Sequence, residues 1–312
     1  MGYFMNRRKL AVILGMIILL FVLFPDMVAG GAKLGLTLWF HTVLPALLPF
    51  MVLSSFMIKQ NVTGAVSRVV YPVFARLFGL SRAGCYPAVI GLLSGYPVGA
   101  KTTAQLYREK MLSKNEAQYL LAFCNNASPM FMLEYIGVNC MGLKYPVALL
   151  CIVYLSAWLG TFFAGRKHYY QEDIEGLQNF CCEKQSIIMS LDESILDAFV
   201  TITKIGGYII LFSILAQILS ELLPVSDIIK YIGIGILEIT TGGAVISKLA
   251  MEEWLRNALL AGLCAFGGLS SVAQTASVLT GTDLQMKAYM GAKLRQAVIA
   301  TLFAAAWFRF VP

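Results

Sequence analysis

The sequence predicts an all-α polytopic membrane protein: an inverted repeat with about seven transmembrane helices, two re-entrant helical hairpins and two interfacial helices. The first indication is composition, because 58% of the 312 residues are hydrophobic and only 13% are charged. Soluble domains are about 45–50% apolar and about 25% charged. The second indication is that the longest polar stretch, residues 166–194, is too short to form a domain. The third is that several apolar runs are interrupted by Gly, Pro, Ser and Asn, which is typical of broken helices lining a cavity within a membrane.

The net charge of +7 favours membrane orientation over nucleic-acid binding. Lysine and arginine stand between apolar runs, as they do on the cytoplasmic side of membrane proteins. The 7 cysteines form no C-x-x-C pair, and the 2 histidines, His41 and His168, are far apart, so we expect no metal site and no cofactor. The sequence has no G-x-S-x-G or H-E-x-x-H motif, and we therefore expect that the protein is not an enzyme.

Residues 1–33 are predicted to form an N-terminal signal-anchor helix. Arg7, Arg8 and Lys9 precede the apolar run Leu10–Phe24, which places the N-terminus in the cytoplasm. The same arrangement fits a cleaved signal peptide, and the sequence leaves open whether the segment is removed.

Residues 34–165 are predicted to form the first repeat. A span, an amphipathic interfacial helix, a hairpin, a broken span and a closing span follow one another. The hairpin is inferred because only about nine apolar residues precede the interruption at Ser94, too few to cross a hydrocarbon core about 30 Å thick. The predicted elements are, in order, Leu34–Ile58, Val62–Leu80, Cys85–Lys110, Glu116–Gly142 with its break at Phe123–Met130, and Leu143–Ala164.

Residues 195–312 repeat this order after a cytoplasmic loop, residues 166–194. An odd number of predicted spans separates the two interfacial helices, so the second repeat is inverted relative to the first. Most lysines and arginines then fall on the cytoplasmic side, among them Lys287, Lys293 and Arg295. The predicted elements are, in order, Ile195–Leu222, Pro224–Ile232, Gly233–Ala250, Leu255–Thr280 with its break at Phe266–Thr275, and Ala288–Phe308.

Two motifs carry a resemblance to a known family. GLLSGYPVGAK, Gly91–Lys101, followed by LLAFCNNASPMF, Leu120–Phe131, resembles the YlbJ-like family of sporulation integral membrane proteins, which carry a nucleoside-recognition or Gate domain. The layout is also similar to that of concentrative nucleoside transporters, in which hairpin tips and broken helices hold the solute. The resemblance implies a multi-pass protein of the bacterial cell membrane, or of the membrane around the developing spore. Its expected cargo is dipicolinate, a small aromatic dianion.

These observations together predict a transporter that moves a small organic solute, such as an aromatic anion, during sporulation. Its partners would be that solute, the lipid bilayer and a coupling proton or sodium ion; a homo-oligomer stays open. One alternative is a transporter of a nucleoside-type solute. The other is a non-transporting membrane scaffold that recruits sporulation partners through residues 166–194.

The first hairpin tip and the first break supply one part of the predicted substrate-binding residues. Glycine and proline at the tip would open the backbone and present amide groups to an anion, and a lysine beyond them could attract a carboxylate. The amide and hydroxyl side chains of the break could orient a ring or a carboxylate, although such side chains also join helices within membranes. The candidates here are Ser94, Gly95, Tyr96, Pro97, Gly99, Lys101, Asn125, Asn126 and Ser128.

The second hairpin and the second break supply the other part. Glu238 could bind the coupling proton or sodium ion, or a hydroxyl group of the solute; a salt bridge with Lys101 or Lys204 is the alternative. Hydroxyl and amide side chains follow at positions that correspond to those of the first repeat. The candidates are Glu238, Thr240, Thr241, Ser270, Ser271 and Gln274.

Overall fold

The computed structural model describes residues 7–60, 62–162, 186–222 and 224–310, and every regular element within these ranges is helical. Two π-helical segments, Trp39–Val43 and Phe131–Cys140, interrupt or extend the α-helices. The α-helices are α1 Arg7–Leu23, α2 Pro25–Leu38, α3 Leu44–Lys59, α4 Thr63–Phe78, α5 Arg82–Ser94, α6 Val98–Arg108, α7 Lys114–Cys124, α8 Val147–Phe162, α9 Ile187–Leu222, α10 Asp227–Leu237, α11 Ile239–Ile246, α12 Glu253–Phe266, α13 Gly268–Val278 and α14 Met286–Phe310.

Within the described residues, the segments Pro25–Met57, Ile187–Leu222 and Glu253–Val278 are long and apolar enough to cross a bilayer. The shorter helix α8 is almost entirely apolar, and all-helical construction agrees with the requirement that backbone groups be paired within the hydrocarbon. The predicted polytopic, all-α fold is therefore confirmed. The domain boundaries stay predictions, and residues 166–185 of the predicted loop lie outside the described residues.

α2, α3 and α9 form a closely packed unit. Proline at the first position starts α2, with Asp26 in its first turn, so this helix begins before the predicted Leu34. A Cβ atom on Gly31 would lie 2.7 Å from the Cα atom of Ile214, which shows how closely α2 and α9 approach. Trp39 completes the contact by donating from Nε1 to the carbonyl of Ile202 at 3.0 Å.

α4 lies across the start of the first hairpin. It meets α5 at an angle of 91°, and the chain turns through Gly79, whose φ of 69° is open to glycine at little cost. Val69 and Val73, one turn apart, are exposed, which fits the predicted interfacial helix with one face in the lipid.

Both hairpins are closed by glycine contacts between their two arms. In the first, α5 and α6 meet where a Cβ on Gly99 would lie 2.8 Å from the Cα of Gly91. In the second, α10 and α11 meet where a Cβ on Gly242 would overlap the backbone of Gly235. Two short helices can cross this closely only where neither carries a side chain. The same device thus occurs in both predicted repeats.

The second hairpin differs from the prediction in one respect. Pro224–Ile232 was expected to be a separate interfacial helix, but α10 runs without interruption from Asp227 to Leu237. Ser226 stands at its N-terminus with Asp227 in the first turn, and no proline or left-handed glycine follows within α10 to bend it. The interfacial segment and the first arm of the hairpin are therefore one helix here.

The two predicted breaks are present. α7 ends at Cys124, and helical structure resumes at Pro129 after the stretch Asn125–Ser128. α12 ends at Phe266 because Gly267 and Gly268 take φ values of 84° and 77°, a left-handed conformation that stops a helix.

Polar contacts join the two halves at the end of the molecule where Arg108 and Lys114 lie, which we call the basic end. Asp283, in the turn before α14, accepts from Lys114 Nζ at 2.5 Å and from Tyr107 Oη at 2.6 Å. Arg108 donates to the carbonyl of Val278 at 3.0 Å. The hydrogen bonds from Lys114 and Tyr107 hold the pKa of the Asp283 carboxyl group below its usual value.

We expect Gly242→Ala to lower the stability of the protein by about 1–3 kcal/mol, because the new methyl group would overlap the Gly235 backbone. Thermal unfolding of the purified protein in detergent would measure the effect. Gly207→Ala in α9 is the matched control, since nothing lies within 4 Å of its Cβ position. Equal melting temperatures for the two variants would contradict the close crossing of α10 and α11.

Candidate functional site

A small buried cavity lies where the hairpins and the breaks of the two halves meet. Its volume is about 30 Å³, room for about one water molecule. Its apolar wall comes mainly from α3, α9 and the π-helical segment Phe131–Cys140, which contribute Leu47, Ile205 and Phe131. The predicted site residues that line it are Tyr96, Ser128, Glu238, Thr240, Ser270, Ser271 and Gln274.

Glu238 occupies the turn of the second hairpin and caps α11. Its side chain is 2% exposed, and its carboxylate accepts from the amide of Thr241 at 2.6 Å and from Thr240 Oγ1 at 2.9 Å. A carboxylate at a helix N-terminus is stabilised by free amides and by the helix dipole. The alternative salt bridge with Lys101 or Lys204 is absent from the described residues.

Thr241 points away from the cavity towards the α2–α3–α9 unit. Its Oγ1 shares a hydrogen bond of 2.9 Å with Ser213 Oγ of α9. Thr240 is held from the other side, since its carbonyl accepts from Tyr135 Oη at 2.5 Å. Hydrogen bonds with Ser213 of α9 and Tyr135 of the π-helical segment Phe131–Cys140 therefore hold the second hairpin in place.

The first hairpin tip is joined to the first break through its backbone. The amide of Tyr96 donates to the carbonyl of Asn126 at 2.7 Å, and Gly95, with φ of 75°, lies against the backbone of Ser128. Pro97 precedes α6, and Gly99 forms the contact between the hairpin arms. Ser94 is buried at the end of α5. These four tip residues shape the turn, while the tyrosine side chain reaches the cavity.

Tyr96 also connects the two halves. A Cβ atom on Gly267 would lie 3.2 Å from the Cε1 atom of the tyrosine ring, so the ring packs directly on the second break. The first hairpin tip therefore covers one side of the cavity. It also contacts the second break, which forms the other side.

The second break supplies three polar side chains to the cavity. Ser271 Oγ donates to the carbonyl of Gly268 at 2.9 Å, and Gln274 Nε2 donates to Ser270 Oγ at 3.2 Å. Gln274 Oε1 is buried and has no hydrogen-bond partner within the described residues. A buried acceptor without a partner is costly, and here it borders the cavity.

The two asparagines of the first break do not line this cavity. Asn125 Nδ2 donates to Thr275 Oγ1 and to Tyr289 Oη, both at 2.9 Å. Asn126 Oδ1 accepts from Lys293 Nζ at 3.0 Å and from Gln296 Nε2 at 2.8 Å. Their side chains therefore bind α13 and α14 instead of facing the cavity.

Lys293 is a residue of this region that the sequence reasoning placed wrongly. It was expected among the cytoplasmic charges, but its side chain is 0% exposed. Its Nζ donates to Gln296 Oε1 at 2.7 Å, to Asn126 Oδ1 at 3.0 Å and to the carbonyl of Asn125 at 3.4 Å. The three acceptors are neutral, and together they satisfy the three N–H groups of an ammonium.

A sequence signal for this network did exist. Tyr289, Lys293 and Gln296 stand at helical spacing of four and three residues and therefore share one face of α14. A polar stripe within an otherwise apolar helix favours a buried network over a cytoplasmic end.

Lys101 lies away from the central cavity. It faces a second cavity between α3, α6 and α9, where its Nζ donates to Thr201 Oγ1 at 3.2 Å. The structure thus divides the predicted site residues among the central cavity, the hairpin tip, the network around Lys293 and this second cavity.

Comparisons with known proteins confirm the predicted resemblance. Residues 40–142 match the family model of the Gate domain, described as "Nucleoside recognition". The chain is 27% identical over 313 aligned residues to the "Sporulation integral membrane protein YlbJ" of Bacillus subtilis (strain 168), with 88% of this chain and 76% of that protein covered. No solved structure matches the chain significantly. The chain is accordingly a multi-pass membrane protein similar to a sporulation protein, and it carries a Gate-type region.

We expect Asn126→Leu to destabilise the protein by about 2–4 kcal/mol, because the buried Lys293 ammonium and the Gln296 amide would both lose the Asn126 Oδ1 acceptor. Asn126→Asp loses the donor to the Phe123 carbonyl, but it should cost less than Leu, since a carboxylate of the same shape keeps the contacts with Lys293 and Gln296 and adds a counter-ion for the ammonium. Thermal unfolding in detergent would compare the two variants. If Asp were as damaging as Leu, Lys293 would not contact this side chain.

Proposed function

We propose that this chain is a membrane transporter, not an enzyme, and that it moves a small organic solute by alternating access. The observation that carries this proposal is the convergence of two hairpins and two broken helices on one buried, polar-lined cavity. Interrupted helices are tolerated at membrane depth where they border protein or a wet cavity, and paired interruptions at a central cavity are typical of secondary transporters.

The cavity, as it stands, corresponds to a closed state. A volume of about 30 Å³ is far below the volume of a small organic solute, whose binding sites usually measure about 300–1,000 Å³. A bound solute would therefore require one group of elements to move. The hairpin tips and α13 are the candidates for that motion, and the α2–α3–α9 unit is the candidate for the fixed scaffold.

Dipicolinate is the proposed cargo, a proposal supported by the similarity to a sporulation protein. The apolar wall with Leu47, Phe131 and Ile205 suits the faces of an aromatic ring. The Ser270 hydroxyl, which accepts from Gln274, can donate a hydrogen bond to a carboxylate oxygen, and the Ser271 hydroxyl can do so by releasing the Gly268 carbonyl. The N-terminus of α13 favours negative charge.

Glu238 is the proposed coupling site. An anionic solute beside an ionised carboxylate would be repelled. Binding of a proton or a sodium ion at Glu238 removes that repulsion, which would link the movement of the solute to the movement of the cation.

A nucleoside-type solute is the second candidate, and specific observations favour it. Glu238 and the unpartnered Gln274 Oε1 are acceptors on the same cavity, and sugar hydroxyls or base N–H groups would supply the donors. The Gate-type region, described by nucleoside recognition, points in the same direction. The scaffold alternative relies on residues 166–194, of which the structure describes residues 186–194, and these do not line the cavity.

The test is uptake by the purified protein in liposomes, with radiolabelled dipicolinate and uridine offered separately. We expect Ser270→Ala to reduce uptake of the true solute roughly tenfold, the effect of losing one hydrogen bond to a charged group. Ser277→Ala, on the same helix but outside the cavity, is the control. Uptake of neither solute by the unmodified protein would refute both transport candidates; full function in cells after deletion of residues 168–183 would refute the scaffold.

We expect Glu238→Gln to retain exchange of solute between equal concentrations and to lose stimulation by an imposed proton or sodium gradient. The amide keeps an oxygen that can still cap α11, but it cannot take up a proton. Counterflow and gradient-driven uptake in the same liposomes would measure the two properties. Undiminished stimulation by either gradient would exclude Glu238 as the coupling site.

A further inference from the structure

A second cavity, larger than the central one, opens between α3, α6 and α9. Its volume is about 230 Å³, enough for several water molecules or one small organic acid. Hydroxyl groups and charged side chains line it, among them Ser54, Lys59, Lys101, Thr201 and Asp197. We call it the inner cavity.

The inner cavity lies at the basic end of the molecule. Lys59 ends α3 beside it, and Arg108 ends α6. Because basic residues mark the cytoplasmic side, the inner cavity faces the cytoplasm.

Lys101 carries a charge into this cavity that no acid neutralises at contact distance. The only hydrogen bond of its ammonium group within the described residues goes to the neutral hydroxyl of Thr201, at 3.2 Å. The acids nearby are engaged elsewhere: Asp197 and Glu193 form ion pairs with Lys59, at 3.3 and 2.8 Å.

The remaining charged groups do not contact the Lys101 ammonium, although in number the nearby carboxylates equal the nearby ammonium groups. Glu109 also lines the cavity, but its carboxylate accepts from Gln105 at 3.0 Å. Lys204 lies on α9 and acts on the Lys101 ammonium by repulsion, as Lys59 does, while Asp197 attracts it. A half-buried ammonium without a contacting carboxylate attracts an anion into the cavity.

An apolar layer separates the inner cavity from the central one. Leu47 lines the central cavity, and Met51, one turn further along α3, lines the inner cavity. Val98 and Ile202 pack in the same buried cluster as these two residues. The two cavities share no lining residue, so the layer blocks the passage between them.

We propose that the inner cavity is a cytoplasmic binding site for a small carboxylate anion. The Lys101 ammonium binds its charge. The Thr201 and Ser54 hydroxyls, which now donate to the carbonyls of Asp197 and Met51, turn to donate to the anion when it binds. The layer of Leu47, Met51, Val98 and Ile202 is the inner gate between this site and the central cavity. The proposal rests on the proposed transport function for the direction of solute movement; attraction of the anion to Lys101 does not depend on it.

Cysteine labelling in inside-out vesicles tests the proposal without knowledge of the natural solute. The probes are two methanethiosulfonate reagents, the anionic sulfonatoethyl and the cationic trimethylammonioethyl compound. The full chain carries Ala198→Cys, in the inner cavity, on a background in which Cys151, Cys181 and Cys182 are serine. Ala46→Cys, the same substitution at the central cavity, is the matched control.

We expect the anionic reagent to modify Ala198→Cys faster than the cationic one, and Lys101→Gln to lower that ratio roughly three- to tenfold. Lys101→Arg should keep the ratio. In the Ala198→Cys protein with Lys101 intact, a rise in salt concentration should also lower the ratio of the two labelling rates. This measurement needs no substitution at Lys101. Ala46→Cys should stay unlabelled until Met51→Ala opens the gate.

Three results would overturn the proposal. No labelling of Ala198→Cys from the cytoplasmic face would show that the cavity is closed to that side. A ratio that changes neither with Lys101→Gln nor with salt would show that no positive field exists there. Equal labelling of Ala46→Cys and Ala198→Cys would exclude the gate. Because the reagents are not transported solutes, these results are separate from failure of dipicolinate or uridine uptake.

Discussion

The structure depends on one constraint: where a helix is interrupted inside the protein, its freed backbone groups must find partners without water. An unpaired amide or carbonyl in a low-dielectric interior costs several kcal/mol. The turn of the second hairpin meets this requirement through Glu238, whose carboxylate accepts from the Thr241 amide. The first tip meets it through the first break, since the Tyr96 amide donates to the carbonyl of Asn126. The first tip is therefore stabilised by another element and the second by its own glutamate, and both border the central cavity.

This pairing explains why the central cavity is both polar and small. Glu238 and Ser128 bond the first amides of helical segments and also line the cavity. The other polar side chains of the lining bond mostly within α13. Gln274 Oε1 is the exception, a buried acceptor left without a partner in the described part of the chain. A solute would have to replace some of these internal hydrogen bonds, so binding and movement of the helix ends are expected to be linked.

Burial of the Lys293 ammonium adds a second free-energy cost that other contacts have to offset. An ammonium removed from water without a carboxylate is expensive, and three neutral oxygens, two from the first break and one from α14, surround it instead. The network fixes the last span to the first break. It assigns to Asn125 and Asn126 the joining role that polar side chains often have within membranes. Of the predicted site residues in the first half, Tyr96 and Ser128 are the ones that line the cavity.

The sequence by itself determined the class of the protein and the order of its elements. Hydropathy marks the spans, and Gly95, Gly267 and Gly268 mark interruptions because a left-handed backbone is a local property of glycine. The capping role of Glu238 is local too, since its partners stand two and three residues away. Only the tertiary structure decided which polar side chains face the cavity. Asn126 and Ser128 are two residues apart, yet one binds Lys293 and the other borders the cavity, because a side chain in a broken segment follows no helical period. The burial of Lys293 and the placement of Lys101 in a separate cavity depend on packing between helices that are far apart in the chain, which no local pattern records.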